Sequence, residues 1–497
     1  MKSSIIRALG GILLVFSGAA SLFAQQGTWQ LKDKVTGEPI AFATVLIGPD
    51  KGTITNEEGL FSLDLDKIGP AGVRISCMGY RTLTLESDQF GGGDRSFLLE
   101  PAAIQLNEVQ LGSRIPGADE IVRRVRENLA SNYPQKGMPY QLFYRESEHM
   151  QFDRLDLELE KASDLNKADL QQADARLRQL GDDIVRSNAR KFLDFSGAYL
   201  AQNDTSAVLR VDRVTELLDH DRDYSMDNIQ ERAKRIILAH LDSTQTYKLK
   251  SGMFKIEDSI SPTKEFTETK SEDSTKLSYL KGKARGLAEI ASWKEGTRLR
   301  DFLDPDLYEY TFLKASYFDG NYVYAVGFEP DRRKAKYSGT LYVDANSFAV
   351  LKADYQYAPG KAGEKVNLKL LLGIRFEENL SRGTVIFRRN ETNEFIPYFI
   401  QQAYGNYIYL HRDLKFIENS PLGKKVRFDF LLEGGVRQAE SALLRPLDAA
   451  EAAALEQVPQ PEKVFLVKLD HYEPTIWQDT EVIEPLEAMR NFRVGKD

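Results

Sequence analysis

The 497-residue chain carries five histidines, at positions 149, 220, 240, 411 and 471. A metal hydrolase needs imidazole and carboxylate ligands at fixed spacings on one element. None of the five sits in a His-x-x-Glu pair or a His-Glu-x-x-His motif, so no metal and no other cofactor is expected. The densest local cluster is Asp219-His220-Asp221-Arg222-Asp223. It has the charge to hold a cation, but the arginine offsets part of that charge and the run reads as a solvated loop. Asp301, Asp304 and Asp306 around Pro305 lack the glycine and distal glutamate of a calcium loop and read as a turn. There is no Gly-x-Ser-x-Gly elbow, and Gly91-Gly92-Gly93 is not followed by the helix that a phosphate-binding loop requires. Cys77, the single cysteine, lies among Val73, Ile75 and Met78 and reads as a small apolar residue of a strand rather than a reactive thiol. No catalytic residue emerges. The chain is expected not to be an enzyme, with a hydrolase assembled from distant residues as an open alternative.

The aromatic residues are more suggestive. Tyr308, Tyr310, Tyr317, Tyr322, Tyr324, Tyr337, Tyr342, Tyr355 and Tyr357 crowd one short region. On the concave face of a curved sheet they would line an apolar or glycan-binding groove. Packed beneath helices they would be core. The candidate ligand-binding set is Tyr308, Tyr310, Tyr322, Tyr324, Tyr342, Phe348 and Tyr355.

The elements that must position these side chains follow from the period. From Leu307 onward apolar and polar residues alternate, and Asp344-Ala345-Asn346-Ser347 reads as a hairpin loop between two strands. Further strands are expected over 366–372, 384–389, 398–403, 407–411 and 426–432, giving a long antiparallel meander with one wet face. The piece GTLYVDANSFAVLKADYQY, residues 339–357, resembles the strand-turn-strand of half-barrels in lipoprotein carriers of the LolA and LolB type.

Upstream, residues 1–24 have a basic start (Lys2, Arg7) and an apolar run, which reads as a cleavable secretory leader. No cysteine follows it, so a lipid anchor is not expected, and no later run is long and apolar enough to span a bilayer as a helix. Losing Lys2 and Arg7 with the leader takes the formal charge from −8 to −10. That acidic, unclustered balance argues against a nucleic-acid partner. A hydrophobic share of 42% is enough to build real cores, and the length suggests two to four of them.

Residues 37–47, 52–65 and 73–85 are short runs rich in β-branched and aromatic residues, divided by Gly, Pro, Asn and Asp, as in a small antiparallel sandwich. Gly37-Glu38-Pro39-Ile40, Ala43-Thr44-Val45, Gly52-Thr53, Thr55-Asn56-Glu57-Glu58-Gly59-Leu60-Phe61 and Gly79-Tyr80 resemble the carboxypeptidase regulatory-like domain. The resemblance implies a transthyretin-like β-sandwich of about seven strands, common at the front of Bacteroidetes envelope proteins. Leu106-Asn107-Glu108-Val109 resembles the segment that follows this domain in TonB-dependent receptors. The stretches around 133–146 and 472–485 resemble a family of uncharacterised secreted Bacteroidetes proteins.

Ala118, Ile121, Val122, Val125 and Leu129 give one apolar helix stripe. Leu170, Ala173, Leu177, Leu180 and Ile184 give another, with further helices expected over 183–202 and 228–241. This insertion reads as a helical hairpin packed on its own domain, the alternative being a dimeric coiled coil. Residues 247–281 read as a loop or hairpin tip. The expected organisation is leader 1–24, sandwich 25–101, helix and strand 102–150, helical insertion 151–245, antiparallel β domain 246–438, and connector, late strand and docking tail 439–497. The fold class is α+β, mostly β, with an N-terminal sandwich and a C-terminal sheet that could form a LolA-like half-barrel.

The expected function is a non-enzymatic exported envelope protein in the periplasm or at the outer membrane, with the sandwich as docking module and the sheet as binding or scaffold surface. Its partner would be an envelope protein, a glycan or a lipid. The alternative is a periplasmic carrier of lipid or another apolar ligand.

Overall fold

The computed structural model describes residues 26–48, 51–91, 95–102, 115–134, 137–187, 189–203, 206–219, 244–251, 254–260 and 273–495. The leader, the Leu106-to-Val109 motif and the expected helix at 228–241 lie outside them.

The turn-punctuated front forms strands β1 (Gln26–Asp33), β2 (Thr44–Leu46), β3 (Gly52–Ile54), β4 (Leu60–Asp64), β5 (Val73–Ser76), β6 (Leu83–Leu85) and β7 (Ser96–Leu99). They make two sheets, ordered β4-β1-β7 and β3-β2-β5-β6. Trp29, Leu31, Val45, Phe61 and Ile75 fill the space between them. Gly59 takes a left-handed φ of 72°, and a Cβ there would stand 2.6 Å from the Leu31 carbonyl, so the turn needs glycine. The Asn56 carboxamide oxygen holds this turn by accepting from the Glu58 and Leu60 N–H groups, both at 2.9 Å. Cys77 packs against this core, and burial pushes its thiol up to about 11.

The rest of the chain builds one 14-stranded sheet. Its strands are β8 (Tyr140–Ala162), β9 (Arg190–Ala201), β10 (Ala207–Leu218), β11 (Tyr247–Ser251) and β12 (Phe254–Ile260), then β14 (Tyr308–Phe318), β15 (Asn321–Pro330), β16 (Tyr337–Asp344), β17 (Val350–Tyr357), β18 (Lys365–Leu368), β19 (Ile374–Arg389), β20 (Phe395–Glu418), β21 (Lys425–Pro446) and β23 (Val467–Leu469). The main path runs β14-β15-β16-β17-β19-β20-β21-β8-β9-β10-β23, antiparallel up to the last pair, which is parallel. A separate pair joins β13 (Ser274–Lys276) to β22 (Lys463–Phe465). The fold is therefore mostly β, a sandwich followed by a large sheet, as the alternation from Leu307 onward anticipates.

Strand alternation gives the sheet two apolar faces. One face, with Leu142, Tyr144, Val385 and Ile400, is covered by helices α1 (Ala118–Asn132) and α3 (Leu277–Ile290) and by the single turn Arg298–Asp301. The interleaved residues Phe143, Ile386, Phe399 and Leu443 form the other face and meet Ile54 of the sandwich with Trp477 and Ile483 of the tail. A third core lies toward the far end of the long strands, where helix α2 (Lys167–Arg186) lays Ala173, Leu177 and Ile184 against Leu155, Leu157 and Leu159 of β8.

Several sequence expectations are corrected here. Residues 151–162 continue β8, and 190–201 are β9 rather than helix, so within 151–245 only α2 is helical among the described residues. β9 is buried on both faces from Phe192 to Tyr199, with Asp194 and Ser196 buried among the apolar residues, so it lacks the in-out period that would identify a half-wet strand. The boundary placed at 438/439 falls inside β21, and only Ala449–Glu456 of the expected connector is helix. The strand expected over 366–372 stops at Leu368 and turns into one helical turn, Lys369–Leu372. Residues 277–281, expected in a loop, open α3.

Candidate functional site

α3 presents Leu277, Leu280, Ala284 and Leu287 to the core. Lys283 sits on the same helix with its side chain 18% exposed, and its Nζ lies 2.6 Å from Glu146 of β8 and 2.9 Å from Glu440 of β21. The Tyr144 hydroxyl donates to the same Glu146 at 2.7 Å, and the Gln438 amide donates to Glu440 at 2.9 Å. Burial weakens the Lys283 charge, but the two carboxylates outweigh it and the ammonium is held well above its ordinary range. Beside Glu440 in register is Gln402 of β20, fully buried, and among the described residues neither of its amide atoms has a hydrogen-bond partner. An orphaned buried amide marks a place where a water or a ligand atom completes the network.

Two residues along β20, Tyr404 opens onto a groove of about 730 Å³. Arg298, Tyr337, Tyr357, Phe376 and Glu378 share its wall. The Arg298 guanidinium stands 4.8 Å from the centroid of Tyr337 and 5.3 Å from that of Tyr355, and donates to the Tyr355 hydroxyl at 3.2 Å. Tyr337 stacks on Tyr357 at 4.9 Å, and the Tyr357 hydroxyl reaches Glu378 at 3.5 Å. Burial pushes the Tyr355 and Tyr404 phenols up, so both remain neutral O–H groups at ordinary pH. The groove thus offers aromatic faces with Arg298, Lys334 and Lys336 as cations and Asp301 and Glu378 as carboxylates, which suits a polar ligand that has flat apolar patches.

Of the expected ligand-binding set, Tyr308 lines this groove, whereas Tyr355 is buried in the core and borders a separate cavity with Ser338, Asp354 and Thr384. Tyr310 donates to the Phe302 carbonyl at 3.0 Å and packs on the core. Tyr322 meets Tyr317 at a tilt with ring centroids 4.4 Å apart, and Tyr324 lies tilted 6.5 Å from Phe348, over which Arg124 of α1 lies at 4.9 Å. Tyr342 lies beside Lys352, on the sandwich side near Cys77. Arg298, Tyr404, Phe376 and Glu378 were not anticipated, because they come from three other elements and carry no local motif.

The other candidates do not gather into a reactive centre. Among the described residues no group of three or more His, Cys, Asp or Glu side chains converges on one point. Asp304 caps its own turn by accepting from the Asp306 N–H at 2.9 Å. Asp219 accepts from the Gly495 N–H at 3.0 Å, and residues 220–223 lie outside the described part. His411 pairs with Asp429 at 3.1 Å, at the exposed surface and not in a cleft.

A family model for a CarboxypepD_reg-like domain matches residues 29–111. That domain is the sandwich whose cores and turns are described above, and it covers only the front of the chain. No curated protein matches the sequence. Among solved structures, a LolA-superfamily protein from Nitrosomonas europaea aligns over 68% of this chain and 98% of its own, with 10% identity and a TM-score of 0.19. No helix among the described residues is long and apolar enough to cross a membrane.

The C-terminal tail ties the regulatory-like domain to the sheet. The Thr53 hydroxyl donates to the Val482 carbonyl at 2.6 Å, and the Asn56 amide donates to the carbonyls of Glu484 and Pro485 at 3.1 and 3.2 Å. The Tyr398 hydroxyl of β20 donates to the Thr53 carbonyl at 3.0 Å. Arg145 of β8, paired with the buried Asp194 through two hydrogen bonds, also donates to the Ile483 carbonyl. Trp477 meets Phe143 edge-on at 5.2 Å.

Proposed function

We propose that this chain is an exported, non-catalytic cell-envelope protein in which the regulatory-like domain is a docking module and the large sheet is a scaffold bearing one ligand groove. The groove takes a polar, ring-bearing ligand of the saccharide class. The observation that carries this reading is the Arg298 guanidinium lying over Tyr337 in the wall of an open cavity of about 730 Å³, with Tyr357 and Tyr404 in the same wall. Sugar rings stack their apolar C–H faces on tyrosines while their hydroxyls bond to guanidinium and carboxylate groups. The leader-like residues 1–24 and the regulatory-like match support export.

The carrier reading draws no support from the sheet interior. Leu280, Leu287, Leu299, Phe302 and Leu303 occupy the face where an acyl chain would lie.

Isothermal titration with neutral and acidic oligosaccharides, such as chitotetraose and tri-galacturonate, tests the groove. Binding in the range of roughly 10 μM to 1 mM is expected, weakened about tenfold or more by Tyr337→Ala. No heat with either class, or equal affinity in the variant, removes the groove from the proposal. Copurified lipid seen by native mass spectrometry would reinstate the carrier.

A further inference from the structure

The hairpin joining β18 to β19 ends in a feature that neither the groove nor the tail explains. Residues 365–376 read Lys-Val-Asn-Leu-Lys-Leu-Leu-Leu-Gly-Ile-Arg-Phe, without one acidic residue. Leu370 is 101% exposed and Leu371 82%, with Val366 and Leu368 also exposed. Adjacent leucines standing bare in water are unusual in a folded chain and mark a contact surface.

The apex is built, not frayed. Gly373 takes a left-handed φ of 60° and closes the turn by donating to the Lys369 carbonyl at 3.0 Å. The His411 N–H donates to the Gly373 carbonyl at 2.8 Å, and Arg412 donates to the Leu372 carbonyl. The Lys369 ammonium lies 3.8 Å from the ring centroid of Tyr409 on β20, directly below the apex. Lys365 and Arg375 share Glu377, at 2.9 and 3.2 Å, whereas Lys369, next to Leu370 in the chain, has no ion pair among the described residues.

We propose that this apex anchors the protein on a lipid bilayer: Leu370 and Leu371 enter the acyl boundary while Lys369 meets anionic headgroups. A narrow hairpin end bearing leucines, a lysine and an underlying tyrosine has the composition of an interfacial anchor. A protein partner fits less well. The two side chains offer roughly 300 Å² at most, well short of the 800 Å² or so that each side of a stable interface buries. This inference stands independently of the saccharide groove.

The test is cosedimentation of the full chain with large vesicles. One set contains phosphatidylethanolamine and phosphatidylglycerol, the other phosphatidylcholine alone, both at about physiological salt. The wild type is expected to pellet with the anionic vesicles. L370S/L371S is expected to lower the partition coefficient at least tenfold while keeping the wild-type melting temperature, since both side chains are already in water. K369E is expected to weaken binding to the anionic vesicles and leave binding to phosphatidylcholine unchanged. A wild type that stays in the supernatant with both vesicle types, or a double variant that partitions like the wild type, overturns the proposal. It is equally overturned if sedimentation velocity shows a dimer that L370S/L371S abolishes, because the leucines would then pair two copies of the chain.

Discussion

At the scale of single residues, the half-hidden ion cluster beneath α3 makes a sharp forecast. Lys283 is the only cation within bonding distance of Glu146 among the described ion pairs, and it also bonds Glu440. Its folded pKa is raised, so the ammonium contributes stability that is complete below its ordinary value near 10.5 and is lost as pH rises through the folded value. At pH 7 the contribution is therefore complete. Lys283→Met leaves two carboxylates facing each other across adjacent strands with their counter-charge gone. Breaking one partner out of a buried pair costs about 3 kcal/mol, because the remaining charge stays desolvated. Urea unfolding at pH 7 should show a loss of unfolding free energy of that size, with Lys283→Arg recovering most of it. A Met variant within about 1 kcal/mol of wild type would mean that water already screens the cluster.

At the scale of elements, two glycines in helices make opposite forecasts. Helix interiors ordinarily gain about 0.5–1 kcal/mol when glycine becomes alanine. Gly282 of α3 has nothing within 4 Å of where a Cβ would stand, so Gly282→Ala should raise the unfolding free energy by about that amount. Gly181 of α2 is buried, and a methyl there runs into the Leu155 carbonyl of β8. Gly181→Ala should lose about 1–3 kcal/mol as the helix is pushed off the sheet. Equal effects would mean that α2 sits loosely on β8. The same packing settles what the seam from Leu170 to Ile184 is for: it faces β8 of its own chain.

These elements also mark what the sequence makes legible. The strands β14 to β17 alternate cleanly because one face is core and the other is partly wet, and Asp344 closes its hairpin by accepting from the Asn346 and Ser347 N–H groups. β9 hides because both its faces are buried. α3 hides because Gly282 and Gly286 interrupt a stripe that Leu277, Leu280, Ala284 and Leu287 nevertheless complete. β8 and β21 run through register shifts, at Glu433/Gly434 among others, and so read as broken pieces. The groove was half legible. Its tyrosines alternate on paired strands, whereas Arg298, Tyr404 and Glu378 reach it only through the fold.

At the scale of the whole molecule, the question is whether the sandwich unfolds on its own. Its internal core, around Trp29, Leu31 and Phe61, is complete, and a domain with its own core can melt separately. Yet Ile54, fully buried, belongs to a different core, shared with Phe143 and Phe399 of the sheet and with Trp477 of the tail. The tail is the common element, since it bonds β3 and the turn after it on one side and Arg145 on the other. Trp477 is 2% exposed and is the largest side chain in that junction. The wild type should therefore melt in a single calorimetric transition. Trp477→Ala removes about 3–5 kcal/mol of packing from the junction while leaving the inner cores of both parts untouched. The expected result is two transitions, together with new protease cutting between residues 470 and 486. A single transition merely shifted downward would show that the polar strap alone couples the two parts. In that case Asn56→Ala, which frees the carbonyls of Glu484 and Pro485, becomes the substitution that separates them.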